Sequence, residues 1–133
     1  MNDKVFIDSN VCLYCFDSDE DRQSIALKLL TIRPIISTQV LHETAAVCLG
    51  KWKMKSNEVR SYIDILLSKC DVKVLPPSHT LAALDLLEKF SLSWWDALIV
   101  ASALKANCTK LFSEDMQDGL IVNGSLTIKN PFD

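Results

Sequence analysis

Short apolar runs rich in β-branched residues alternate with longer stretches of helical periodicity along almost the whole chain. Strands are expected near residues 4–7, 34–36, 72–75, 109–112 and 125–128, and helices near 10–16, 20–31, 38–50, 56–69, 78–90 and 94–106. Strands that alternate with helices call for a mainly parallel sheet flanked by helices, an α/β sandwich. In open sheets of this kind ligands bind outside the carboxyl ends of the strands, and Asp8 and Asp115 fall there.

At 133 residues the chain fits one domain, spanning residues 1–133, with one core. Apolar residues at 49% and charged residues at 23% exclude disordered and fibrous classes. A formal charge of −3 predicts solubility and no general attraction to nucleic acid, so any polyanion must meet a local patch. Five cysteines, scattered through apolar stretches and odd in number, read as reduced thiols and point to the cytoplasm. The N-terminus runs straight into a strand, and no apolar run approaches the roughly 18 residues of a membrane span, so no export or membrane signal is expected.

Four acids stand where a buried element ends or turns inward. Asp8 follows Val5-Phe6-Ile7, and Asp115 follows Lys110-Leu111-Phe112 through Ser113-Glu114. Glu43 shares a helical face with Val40, Ala46 and Val47, and Asp96 shares one with Ile99, Val100 and Ala103. An ionised carboxylate facing a core is costly unless paired or metal-bound, and few cations stand nearby in sequence. A divalent ion such as Mg²⁺ or Mn²⁺ suits hard oxygen ligands and removes their mutual repulsion. Taken singly, each acid has a simpler reading. Asp8 serves as an Asx turn or helix N-cap, Glu43 as a solvated helix residue, Asp96 as part of a capping box with Ser93, and Asp115 or Asp118 as turn residues before Gly119. All four together make one shared partner the more economical account.

The run Phe6-Ile7-Asp8-Ser9-Asn10-Val11, Glu43, the run Trp95-Asp96-Ala97-Leu98-Ile99 and the closing Ser113-Glu114-Asp115 resemble the PIN-domain nucleases, and among them the small VapC-type toxins of bacterial toxin–antitoxin pairs. The tail, from Ser113 to Gly119 and then Asn130-Pro131-Phe132, resembles one VapC subgroup, in which a short hairpin turning at Asn123-Gly124 follows the last acid. The resemblance implies a PIN-like three-layer α/β/α sandwich with a mainly parallel, about five-stranded sheet. It implies that Asp8, Glu43, Asp96 and Asp115 hold one or two Mg²⁺ or Mn²⁺ ions, that the Ser113 hydroxyl bonds among them, and that Asn10 is the small polar residue beside the first acid. Asp118 either reaches a second metal or shapes the turn before Gly119. Serine replaces the commoner threonine at positions 9 and 113 and keeps the hydroxyl. The implied activity is metal-dependent endoribonuclease cleavage of RNA, leaving a 5′-phosphate and a 3′-hydroxyl. The implied partners are a second copy, in a homodimer, and a cognate antitoxin lying in an apolar groove. Val11 to Phe16 is apolar on every face and lines that groove or belongs to the core.

Lys51, Lys53 and Lys55 bracket Trp52 and, with Arg60 beyond, form the densest positive run, an RNA-binding candidate or a solvated helix junction. The acidic run from Asp17 to Asp21 suits the N-terminus of the second helix. Cys12 and Cys15 have C-x-x-C spacing without a second pair, which favours packing, and His42 reads as a surface residue. Two other function classes remain. One is a catalytically silent PIN-like protein-binding module; the other is a phospho-accepting receiver-like domain, against which Pro76-Pro77 after the Val72–Leu75 strand argues.

Overall fold

The computed structural model describes residues 3–133. β1 (Val5–Ile7) leads into α1 (Ser9–Tyr14), α2 (Glu20–Leu30), β2 (Ile35–Ser37), α3 (Thr38–Gly50), α4 (Ser56–Lys69), β3 (Asp71–Lys73), α5 (Pro77–Lys89), α6 (Trp94–Lys105), β4 (Lys110–Phe112), β5 (Ile121–Val122) and β6 (Leu126–Lys129). One six-stranded sheet has the order β3-β2-β1-β4-β6-β5. Every pairing is parallel except β5 with β6.

The central strands, short as they are, survive because they are covered on both faces. Phe6, Ile7, Ile36, Leu111 and Ile128 are fully buried. α6 is apolar nearly all round, with every residue from Ala97 to Ala103 buried, so it runs through the core rather than over it. α5 covers α6, and its buried His79 sets Nδ1 3.4 Å from Ser102 Oγ. All five cysteines are free and buried; Cys12 and Cys15 serve packing, as their spacing without a second pair suggested.

The chain runs outward from β1 through β2 to β3, then returns to β4 on the other side of β1. The β1–β4 boundary is therefore the switch point of the sheet, where a crevice opens at the strands' carboxyl ends. This order differs from the 2-1-3-4-5 order of receiver-like sheets, which removes that reading.

The extra, sixth strand is the two-residue β5, too short to carry a period. Its hairpin turns at Asn123 and Gly124 as expected, with φ of 50° and 71° and Ser125 N–H donating to the Val122 carbonyl at 3.1 Å. β3 stops at Lys73 because Val74 is exposed and Pro77 already sits in the first turn of α5. Among the described residues no helix is long and apolar enough to cross a membrane.

Candidate active site

Asp8 sits at the switch point. Its backbone N–H still pairs across the sheet with the Phe112 carbonyl at 3.0 Å, while its side chain caps α1 by accepting from Ser9 N–H at 2.7 Å. The other carboxylate oxygen accepts from Ser113 Oγ at 2.8 Å. The residue is 5% exposed, and burial pushes its carboxyl up to about 6 against the pull of the Ser113 and Ser9 bonds, with the charges of Glu43 and Asp96 adding to the rise. It is an N-cap, as the simpler reading held, but a cap needs only one of its oxygens.

Asn10, in the first turn of α1, ties this oxygen cluster together. Its amide nitrogen lies 3.3 Å from Ser113 Oγ and 3.2 Å from Asp115 Oδ2, and its Oδ1 accepts from Glu114 N–H at 3.2 Å. Asp115 itself is exposed on the loop after β4.

The remaining two acids come from helices on the same side. Glu43 is half-buried on α3, and Gln39 one turn earlier donates its amide to Glu43 Oε2 at 3.3 Å and to the Trp95 carbonyl at 3.1 Å. Asp96 lies in the first turn of α6, where its N–H donates to the N-cap Ser93 Oγ at 3.1 Å. Burial raises both carboxyls; the Asp96 charge raises Glu43 further, and the Asp115 charge raises Asp96. The four acids thus feel one another's charge. Among the described residues no Lys or Arg forms an ion pair with any of them.

As the side chains lie, no three His, Cys, Asp or Glu groups of the described residues close tightly enough to grip an ion. Repelling carboxylates turn toward neutral donors instead, here Ser9, Ser113, Asn10 and Gln39. Mg²⁺ keeps several waters and commonly takes only one or two carboxylates directly, so a closed trio is not a requirement.

Not every candidate joins the cluster. Asp118 is exposed and its Oδ1 accepts from Asn130 N–H at 2.8 Å, the turn-shaping alternative, ahead of Gly119 at φ 88°. Lys51 shares a cavity of about 180 Å³ with Trp52, Asn10, Glu114 and Asp115, whereas Lys53 and Lys55 are exposed and do not line it. Val11, Cys12 and Cys15 are core, while Leu13 and Tyr14 form part of this cavity's wall. Asp19 caps α2, accepting from Arg22 N–H at 3.2 Å, which fits the reading of the acidic run.

Nothing in the sequence assigns a role to Arg22, and Tyr14 and Glu114 stand there only within the Val11–Phe16 and Ser113–Asp115 runs. Glu114 turns away from its neighbours Ser113 and Asp115, accepting from Tyr14 OH at 2.8 Å and pairing with Arg22. The guanidinium lies over the Tyr14 and Phe132 rings, 5.3 and 5.4 Å from their centroids.

The family model of the PIN domain matches residues 5–117. The chain belongs to the PIN domain family. No curated protein sequence matches it. In solved structures this PIN fold is similar to a VapC toxin of Mycobacterium tuberculosis described as cleaving the sarcin-ricin loop, at TM-score 0.67 and 19% identity over 84% of this chain and 92% of that one. A toxin–antitoxin complex from Klebsiella pneumoniae gives TM-score 0.71 and 19% identity over 96% and 97%. The VapBC complex of Rickettsia felis bound to a promoter DNA fragment gives 0.67 and 21% over 95% and 98%. At these identities the likeness shows the PIN fold; the first of these structures is a VapC toxin, the second a toxin–antitoxin complex and the third a VapBC complex.

Proposed function

We propose that this PIN domain is a metal-dependent endoribonuclease that hydrolyses RNA phosphodiester bonds and serves as the toxin of a toxin–antitoxin pair. The observation that carries the reading is a set of four carboxylates, at the N-cap of α1, on α3, on α6 and on the loop after β4, one of them only 5% exposed, with none of them in an ion pair with a Lys or Arg of the described residues. Such a set fits Mg²⁺ or Mn²⁺: hard oxygens, converging charge, and neutral donors that orient rather than discharge them.

Asp8, Glu43, Asp96 and Asp115 would hold one or two ions. A bound ion supplies an acidified water and offsets charge on the phosphate oxygens. The protein's own part is orientation. Ser113 and Ser9 fix Asp8 from two sides, Asn10 holds Asp115 against the same hydroxyl, and Gln39 holds Glu43. Lys51, beside Asp115, supplies the local positive charge that a chain of net charge −3 needs to receive an RNA backbone. The same reading makes residues 1–133 one domain, working in the cytoplasm as a homodimer restrained by a cognate antitoxin.

Purified protein is expected to cleave RNA with Mg²⁺ or Mn²⁺ and to be silenced by EDTA. Undiminished cleavage in excess EDTA, in a preparation free of other nucleases, sinks the metal mechanism. A silent binding module is the second reading, favoured by the open arrangement of the acids. It predicts no cleavage with either ion from folded protein.

A further inference from the structure

A second cavity, of about 570 Å³, opens between α3 and the start of α6, lined among others by Thr38, Gln39, His42, Glu43, Leu75 and Trp95. We propose that it receives one unpaired nucleobase of the RNA, stacked on the Trp95 indole and registered to the cleavage site through Gln39. The inference rests on the nuclease reading above and adds a substrate contact to it.

Trp95 is 61% exposed although it lies in the first turn of a helix whose stretch from Ala97 to Ala103 is core, and it directly precedes Asp96. An indole held open beside a candidate catalytic acid is a platform for a flat apolar ring. Among the described residues no Lys or Arg lines the cavity, and Glu43 stands in its wall. A phosphate would be repelled there, while an uncharged base bearing an exocyclic amine meets acceptors. Gln39 provides one. It is 7% exposed, both its amide contacts are spent on Glu43 and the Trp95 carbonyl, and its Oε1 is left without a hydrogen-bond partner. A buried acceptor in that state is costly, and a small turn of the Gln39 side chain would offer it to an amine entering the cavity. The same side chain binds the Trp95 backbone carbonyl and the Glu43 carboxylate, which ties a base stacked on Trp95 to the acid cluster. Charge sorts the substrate accordingly, with the backbone toward Lys51 and a base toward Trp95.

The test pairs a protein change with a substrate change. Cleavage of an RNA hairpin is compared with cleavage of hairpins carrying a single abasic nucleotide at each loop position, for wild type, Trp95→Ala and Trp95→Phe. Wild type should lose roughly tenfold or more in KM at one abasic position beside the cut. Trp95→Ala should show that loss with the intact hairpin and no further loss at the abasic site, and Trp95→Phe should recover most of it. An unchanged KM in folded Trp95→Ala, or an abasic effect that persists in full, overturns the subsite while leaving the nuclease reading standing. If KM is unchanged but Trp95→Ala weakens self-association or antitoxin binding, the cavity belongs to a protein partner and the proposal falls. Absence of cleavage by wild type with either metal removes the nuclease reading and the subsite together.

Discussion

At Asp8 a helix cap and a buried charge occupy one side chain. Burial lifts its carboxyl from 3.8 to about 6, so the fold favours the protonated form. The stabilising contribution is complete below the unfolded value and is lost as pH rises to about 6. At neutral pH the metal-free fold therefore carries a cost of roughly 3 kcal/mol at this position. Asp8→Asn keeps the acceptor for Ser9 N–H and removes the charge. In EDTA at pH 7 the variant should melt higher than wild type, the gap should close near pH 4, and cleavage should be absent. A lower Tm at pH 7 would mean that the charge itself supports the fold. The four acids were legible because a carboxylate in an apolar setting needs a reason that the neighbouring sequence does not supply. Gln39 and Arg22 were not legible. Their partners, Trp95 and Glu114, lie 56 and 92 residues away, and only the fold brings them together.

The loop between β4 and β5 is held from two helices. Asn10 of α1 binds its backbone at Glu114, and Arg22 of α2 takes the Glu114 carboxylate outward, away from Asp115. Were that pairing lost, a free carboxylate would stand next to a candidate ligand. Arg22→Ala should therefore lower cleavage and Mn²⁺ affinity by about 10–100-fold, as the loss of a side chain supporting metal ligands does. The pair is partly exposed, so Tm should move little. Combining Arg22→Ala with Glu114→Gln should cost less than the two separate losses together, since one contact is removed twice. Additive losses would show that each residue acts alone. The helices were legible from their periodicity, and the hairpin from Asn123-Gly124. The two residues of β5 carry no alternation to read, and β3 ends at Lys73 rather than at the expected residue 75 because Val74 has strand character yet lies in the open.

For the whole molecule, the order of the strands brings the acids together. With β1 central and β4 beside it, residues more than a hundred positions apart meet at one end of the sheet; Asp8 and Ser113 are separated by 105. Alternating strands and helices revealed the class of fold, but strand order needs the crossovers themselves, and so the switch point had to be seen. If this cluster makes the protein a toxin, expression of the chain alone should arrest bacterial growth. Expression of Glu43→Gln should not, because the isostere keeps the half-buried shape and removes a ligand charge. Co-expression of the cognate antitoxin should restore growth. Arrest by folded Glu43→Gln protein would point to sequestration of a partner instead. Leu111 sits between β1 and β6 at the centre of the sheet, fully buried. Leu111→Ala should cost about 2–5 kcal/mol in denaturant melts.

The buried thiols give the molecule a set of internal clocks. Cys12 and Cys15 mark α1, Cys48 marks α3, Cys70 ends α4, and Cys108 precedes β4. Burial raises each thiol, Cys15 to about 12 and Cys70 and Cys108 to about 11, so in the closed protein both access and ionisation suppress alkylation. Each can react only when its own element opens, and the order in which the five become labelled is a map of local unfolding. Metal that relieves the charge on Asp8 should slow the Cys12 clock most, because Cys12 lies in the helix that Asp8 caps.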